Sequence, residues 1–145
     1  MAQNSQFCTF SLDSLLFGVE LKSVQEVIRS LEVTRVPLAP EVVSGLINLR
    51  GQIVTAVDLR RQLQLEPRPA GLAAMNVVVR SGDGAVSLLV DEIGDVVEVE
   101  ESSFERPPET LRGTVRTMIT GVHKLNDRLM LVLDTGKACQ MVETP

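Results

Sequence analysis

Few residues of this chain could carry out catalysis or bind a metal ion. His123 is the single histidine, so a Ser–His–Asp or Cys–His mechanism would have to use it, and a metal site would have only one imidazole. It lies in an apolar, strand-like segment, where a hydrogen-bonded structural histidine is the favoured interpretation. The sequence contains no CxxC, HExxH, GxGxxG or P-loop motif. We therefore expect no metal site and no cofactor.

Asp58 and Asp134 are the two carboxylates whose placement could suggest acid–base chemistry. They occupy equivalent strand ends in an internal repeat, which favours a repeated structural role such as accepting the N–H groups of a turn. Cys8 and Cys139 could meet, but two thiols in a domain of this size are better interpreted as reduced, buried hydrophobic residues. These residues do not predict an enzyme.

The composition limits the classes of partner that we expect. The 145 residues are 44% hydrophobic and 3% aromatic, with a formal net charge of −5, and predict one compact domain over residues 1–145. The acidic charge and the scarcity of aromatic residues argue against nucleic acid. No apolar run reaches the roughly 18–20 residues that span a bilayer, and the N-terminus does not resemble a signal peptide. We expect a cytoplasmic protein without direct membrane insertion.

The elements that must position these residues include a strand–turn–strand pattern that occurs twice. GLINLRGQIVTAVDL (Gly45–Leu59) aligns without a gap with GVHKLNDRLMLVLDT (Gly121–Thr135), at an offset of 76 residues. The second copy bends at Asn126-Asp127, which suits positive φ angles. The first bends at Arg50-Gly51, where Arg does not favour positive φ but a type II turn with Gly51 at its third position would accept it. A long cation in place of a natural turn residue indicates a recognition role for Arg50.

The rest of the chain predicts further hairpins, two short helices and two long loops. Ser23 begins a capping box with Glu26 that predicts a short helix, and Pro40 precedes a second predicted helix over Glu41–Ser44. The segment Leu21–Ile28 also repeats at Val90–Val97, at an offset of 69 residues. The predicted strands are Phe7–Leu12, Phe17–Leu21, Met75–Arg80 and Val86–Val90, with a bend at 82–84, and the predicted loops are Gln62–Ala74 and Val99–Arg116.

This pattern of short strands predicts an all-β chain with short helices, and the duplication predicts two small barrels related by a pseudo-two-fold axis. The approximate halves are residues 15–74 and 75–136, with the N-terminal strand and the C-terminal tail packing across both. Each half of about 70 residues would be marginally stable alone, so the halves should share a hydrophobic core.

Two polar segments have both a functional and a structural interpretation. Glu26 is either the N3 residue of the Ser23 capping box or the partner of Arg50 at a binding surface, where an exposed pair contributes only about 0–1 kcal/mol. Arg106-Pro107-Pro108-Glu109 is either a stiff loop that docks on another protein or a solvated linker. Asp91-Glu92 and Glu98–Glu101 are most simply solvated acidic surface.

Six segments together resemble the CheW-type coupling proteins of bacterial chemosensory arrays, and they extend over essentially the whole chain. The most specific is GLINLRGQIVTAVDLR, with its NLRG block between two strands. The six segments are Phe10–Val27, Val33–Pro37, Gly45–Arg60, Leu88–Val99, Phe104–Glu109 and Ile119–Asp134.

The resemblance implies two SH3-like, five-stranded β-barrels and a non-enzymatic adaptor for chemotaxis signal transduction. Such proteins bridge the cytoplasmic tip of a methyl-accepting chemoreceptor and the regulatory domain of a CheA-type histidine kinase, and other CheW-like domains are a further partner class. A receptor tip is a helical hairpin, which implies helix-in-groove binding. The positions implied for receptor binding are Val24, Glu26, Gly45, Asn48, Arg50 and Val96, and those for kinase binding are Arg106 and Glu109.

The chain departs from the family pattern at two places. Thr55-Ala56 stands where a proline is often found, and Thr110 stands where an apolar residue can follow Glu109. The length favours a free-standing adaptor over a receiver-fused or kinase-borne domain. Two alternatives stay open: the same coupling role in pilus motility or second-messenger control, and a β-barrel that binds a small ligand.

Overall fold

The first residues of the chain form the hairpin that their alternating pattern predicts. The structure, a computed structural model, describes residues 3–82 and 84–143. Strands β1 (Asn4–Leu12) and β2 (Leu15–Glu20) pair in antiparallel orientation. Phe10 and Phe17 stand opposite each other in this pair, and their rings stack with centroids 5.8 Å apart. The hairpin thereby presents an apolar face to the interior.

Within the described residues, nine further strands and three short α-helices follow. The strands are β3 (Val24–Ile28), β4 (Val43–Leu49), β5 (Gln52–Asp58), β6 (Met75–Ser81), β7 (Gly84–Val90), β8 (Glu92–Glu100), β9 (Phe104–Glu105), β10 (Ile119–Lys124) and β11 (Leu129–Leu133). The helices are α1 (Leu59–Gln62), α2 (Thr114–Met118) and α3 (Thr135–Glu143), and 3-10 turns occupy Leu21–Ser23 and Glu101–Ser103. The prediction of a mostly β chain with short helices is confirmed.

The strands form two sheets, which we call sheet A and sheet B. Sheet A has six strands in the order β8-β1-β2-β11-β10-β9, and sheet B has five in the order β3-β6-β7-β5-β4. Neighbouring strands are antiparallel except for β2 with β11 and β5 with β7, which are parallel. Among the described residues no ladder joins the outer strands of either sheet. The chain therefore forms two open sheets where the sequence predicts closed barrels.

The internal repeat relates one sheet to the other. The strand order of sheet B becomes that of the first five strands of sheet A when equivalent strands are exchanged. The equivalent strands are β1 and β6, β2 and β7, β3 and β8, β4 and β10, and β5 and β11. The residue pairs agree with the repeat offsets, since Thr55 pairs with Val86 in sheet B and Leu131 pairs with Phe17 in sheet A. Each sheet therefore holds the first hairpin of one sequence half and the last hairpin of the other.

One hydrophobic core joins the two sheets. Phe10 and Phe17 of sheet A are fully buried in the same cluster as Val57, Val79 and Leu88 of sheet B. Two smaller clusters lie beside it, one in each sheet. Because side chains of both halves fill the main cluster, the halves share a core as the sequence predicts.

The two predicted helices near the N-terminus are wrong. Residues 24–28 form strand β3, in which half-buried and exposed side chains alternate and which pairs with β6. The β-branched Val24, Val27 and Ile28 favour a strand, and pairing with β6 outweighs the capping-box signal at Ser23. Glu41 and Val42 form a turn, and Ser44 already belongs to strand β4.

The long predicted loops contain some regular structure. The second includes the end of β8, a 3-10 turn, β9 and part of α2. The C-terminal segment is helix α3 on the core, with Ala138 and Cys139 buried. In the predicted bend at 82–84, Asp83 lies outside the described residues, as do residues 1–2 and 144–145.

Candidate functional site

The turn between β4 and β5 holds Arg50 in an unusual backbone conformation. Leu49 pairs with Gln52, which leaves a two-residue loop of Arg50 and Gly51 with φ angles of 51° and 91°. Two positive φ angles characterise a type I′ turn, so the turn is not the type II form that would accept Arg without a positive φ. Asn48 supports the turn, because its Oδ1 accepts the backbone N–H of Gly51 at 2.8 Å. The fold thus holds a residue that disfavours positive φ at the tip of a hairpin.

Arg50 forms an ion pair with Glu26. The Nη2 atom of Arg50 donates to Oε2 of Glu26, which lies on β3, the strand at the opposite edge of sheet B. The Arg50 side chain is 74% exposed and the Glu26 side chain 21%. Of the two interpretations of Glu26, the structure supports the pair with Arg50 and excludes the helix cap. A pair this open to solvent adds little stability, so its consequence is the orientation of the guanidinium.

Val24 and Gly45 belong to β3 and β4, the edge strands of sheet B. Val24 is half-buried and packs against the main core. Gly45 is buried at a β-bulge, where a Cβ atom would collide with the backbone carbonyl of Thr34, which bridges to β4 through Leu46. Its repeat partner Gly121 lies at the equivalent bulge under β9. The repeated glycine therefore permits a neighbouring segment to approach the last hairpin of each half.

Val96 lies apart from this group in sequence and in sheet. It belongs to β8 at the edge of sheet A, pairs with Cys8, and is 51% exposed. Sequence reasoning missed Ile53, which is 61% exposed and pairs with Asn48 beside the Arg50 turn. An isoleucine within an apolar strand carries no sequence signal of exposure, and the 61% exposed fraction of Ile53 appears only in the folded structure.

Arg106 and Glu109 are both exposed on the segment between β9 and α2. Arg116 of α2 anchors this segment, because its Nη1 donates to the carbonyl oxygens of Pro108 at 2.6 Å and Leu111 at 3.1 Å. Sequence reasoning did not identify Arg116. The segment is therefore an anchored loop that displays two opposite charges.

His123 has the structural role that the sequence predicts. The side chain is buried between Phe7 and Phe104, with ring centroids 5.5 Å and 5.3 Å away, and its Nδ1 lies 2.8 Å from Oγ of Ser103. Burial lowers the pKa of His123 below its ordinary value of 6.5. Among the described residues, no group of three or more His, Cys, Asp or Glu side chains could hold a metal ion.

Asp58 and Asp134 cap helices at equivalent places. Oδ1 of Asp58 accepts the backbone N–H of Arg61 at 3.2 Å, and Oδ1 of Asp134 accepts that of Lys137 at 3.1 Å. The predicted repeated structural role is confirmed. Cys8 is a buried free thiol, as predicted, and burial raises its pKa.

Asp91 is buried, so its prediction as solvated surface is wrong. Its carboxylate accepts Nη2 of Arg60 at 2.6 Å and the backbone N–H of Asp13 at 2.8 Å. Arg60 also donates from Nη1 to the carbonyl oxygen of Glu66 at 2.8 Å. These contacts join α1, the β1–β2 turn and the bend between β7 and β8.

Within the described ranges, no helix has the length and apolar character needed to cross a membrane.

The comparisons with known proteins agree with one another. The model of the CheW-like domain matches residues 6–143. The chemotaxis protein CheW of Treponema pallidum is 28% identical over 138 residues, which cover 91% of this chain and 80% of that protein. CheW of Bacillus subtilis is 28% identical over 127 residues, 88% of this chain and 81% of that protein.

A solved structure shares the fold. The crystal structure of the scaffolding protein TtCheW from Thermoanaerobacter tengcongensis superposes with a TM-score of 0.81 at 27% identity. The match covers 91% of this chain and 90% of that chain. The chain therefore belongs to the CheW-like domain family, a family of non-catalytic chemotaxis scaffold proteins.

Proposed function

We propose that this chain is a cytoplasmic adaptor that couples the tip of a methyl-accepting chemoreceptor to the regulatory domain of a CheA-type histidine kinase. It holds both partners in one chemosensory array. The observation that carries the proposal is Arg50, an exposed cation on a positive-φ turn that is oriented by Glu26. The positive φ of Arg50 costs conformational energy, and its exposed ion pair adds little stability. A role in binding accounts for an arginine at this position.

On the receptor side we propose helix-in-groove recognition. Arg50 supplies the polar contact, Glu26 orients it, and Asn48 holds the turn that carries it. Val96 supplies an exposed apolar contact from sheet A, and Val24 supports the groove from sheet B. Gly45 acts indirectly, through the close approach of the segment above it.

On the kinase side we propose that Arg106 and Glu109 contact the regulatory domain, which is itself CheW-like. Their anchored loop is consistent with a preformed docking element, because anchoring lowers the ordering cost of binding. We also propose that the two open sheets correspond to the two SH3-like barrels of the family, and that other CheW-like domains can join the same array.

A pull-down with a chemoreceptor tip tests the receptor side. We expect Arg50→Glu to reduce the bound fraction strongly, because it reverses the charge and repels Glu26. Arg128→Glu is the matched control, since Arg128 is exposed beside the equivalent turn of the β10–β11 hairpin. Normal receptor binding by folded Arg50→Glu protein would contradict the proposal.

Co-elution with the regulatory domain of the cognate kinase tests the kinase side. Arg106→Glu and Glu109→Arg should each weaken the complex and leave receptor binding intact. The kinase that co-elutes also identifies the pathway, which separates swimming chemotaxis from pilus motility and second-messenger control. Unchanged co-elution of both variants would remove Arg106 and Glu109 from the interface.

A further inference from the structure

A cavity of about 790 Å³ opens on sheet B, away from the Arg50–Glu26 pair. Its walls are the segment between β3 and β4, the start of α1 and the loop after it, and its lining includes Asn76 of β6 and Leu89 of β7. Arg35, Arg61 and Arg68 also line it, and we call it the arginine cavity. Its volume lies in the range of about 300–1,000 Å³ that small-molecule sites occupy.

Arg68 is the central feature of the cavity. Its side chain is only 15% exposed, and among the described residues its Nε and Nη2 have no hydrogen-bond partner. Its nearest anion is Asp91, with 3.5 Å between Arg68 Nε and Oδ1. That carboxylate already accepts Arg60 and the backbone N–H of Asp13, so one anion serves two guanidinium groups. Both nitrogens are buried from solvent, so the group keeps a surplus positive charge beside the cavity and two donors that lack an acceptor.

The other charges of the cavity do not offset this surplus. Glu41 forms an ion pair with Arg61 at 3.5 Å, and its side chain is 87% exposed at the rim. Asp58 accepts the backbone N–H of Arg61 as a helix cap. Glu41 and Asp58 both keep their negative charge, so the lining holds three arginines against two carboxylates, in a chain whose net charge is −5. A positive site in an acidic protein favours a bound anion.

Most of the other lining residues are apolar, and Ser30, Ser44 and Asn76 are the polar ones among them. Side chains of Leu31, Val33, Val36, Val43 and Leu89 contribute to the wall. An arginine with free donors suits a carboxylate or a phosphate, and the aliphatic wall suits an apolar body. We propose that the arginine cavity binds a small organic oxyanion, whose charged group contacts Arg68 and whose body lies on the aliphatic wall.

Thermal unfolding of the full chain tests the site with three probes: inorganic phosphate, acetate and hexanoate, each balanced with KCl to constant ionic strength. A binding probe raises the midpoint in a saturable way, by about 2–4 °C once its stabilisation reaches about 1 kcal/mol. Saturation by hexanoate at a lower concentration than acetate indicates a carboxylate with an apolar body. Saturation by phosphate alone indicates a phosphate ester.

Arg68→Gln should abolish the saturable shift, and Arg68→Lys should weaken it because an ammonium lacks the planar donor pair. Arg112→Gln is the control, since it removes an exposed arginine that does not line the cavity. If Arg68→Gln does not fold, Arg35→Gln should weaken binding several-fold in calorimetric titration. The proposal is overturned if none of the probes gives a saturable shift, or if the shift is equal in the wild type and Arg68→Gln, since non-specific anion effects do not require Arg68.

Discussion

Arg60 and Asp91 form an ion pair that buries both charges between helix α1 and the bend that links β7 to β8. The side chains are 7% and 8% exposed, and Nε and Nη2 of Arg60 both donate to the carboxylate. Burial alone would raise the pKa of Asp91, but hydrogen bonds from Arg60 and Asp13 outweigh it, so the pKa lies below its ordinary value. The hydrogen bond to Asp91 likewise raises the pKa of Arg60.

Replacing one partner of this pair should be severely destabilising. We expect Asp91→Asn to lower the free energy of unfolding by about 3–5 kcal/mol, because it leaves the Arg60 charge buried and uncompensated. Urea denaturation measures the change. The double variant Arg60→Met/Asp91→Leu removes both charges of the pair and should recover part of the loss, because Arg68 still lacks its nearest anion. A double variant no more stable than Asp91→Asn would contradict this account.

The same pair predicts a loss of stability in acid. An ionised Asp91 stabilises the fold above the ordinary pKa of 3.8, and this contribution is lost as the pH falls through the lower folded pKa. The difference in unfolding free energy between wild type and Asp91→Asn should therefore shrink from pH 5 to pH 3. A difference that stays constant over this range would show that Asp91 does not titrate as proposed.

His123 predicts a second pH dependence, at a higher pH. Because its folded pKa lies below 6.5, the unfolded chain binds a proton more readily, and stability falls as the pH drops below about 6.5. His123→Gln keeps a hydrogen-bonding group near Ser103 but does not titrate. Urea denaturation at pH 7.5 and pH 5.5 should show a larger loss for the wild type than for His123→Gln. Equal losses would contradict the predicted shift.

Arg50→Asn should separate stability from binding. Asn tolerates positive φ, so the change relieves backbone strain of about 1 kcal/mol, while the loss of the exposed ion pair costs about 0–1 kcal/mol. We expect an unfolding free energy equal to or up to about 1 kcal/mol above the wild type, with weaker receptor binding. Chemical denaturation and receptor pull-down measure the two effects. A variant that binds receptor normally would show that the guanidinium is dispensable.

Gly45→Ala should destabilise the fold by about 2 kcal/mol or more, because the new Cβ would collide with the Thr34 backbone at a φ of 150°. Gly71→Ala is the control. Its φ of 87° imposes a similar kind of strain, but open space surrounds it, so only about 1 kcal/mol should be lost. Thermal unfolding compares the two. Equal losses would mean that the approach of Thr34 to β4 is unimportant.

Local pattern and repetition predicted much of this molecule. The alternation around Phe10 gave the first hairpin, and the equivalent positions of Asp58 and Asp134 correctly indicated a shared capping role. The capping box at Ser23 misled because strand pairing with β6, distant in sequence, outweighed a local helix signal. The Arg60–Asp91 pair could not be predicted from local sequence, because the two residues meet only in the tertiary fold.

The placement of the hairpins in the sheets bears on the origin of the fold. Half the chain, standing alone, would leave its first hairpin without the parallel neighbour that it has here, β11 for β2 and β5 for β7. A protein made of one such half would form the parallel pairings only by exchanging hairpins with a second copy, as domain-swapped dimers do. Tandem fusion of two copies of such a gene would place the exchanged hairpins in one chain. The two copies would then diverge, so that the turn of one carries Arg50 and the equivalent turn of the other carries Asn126.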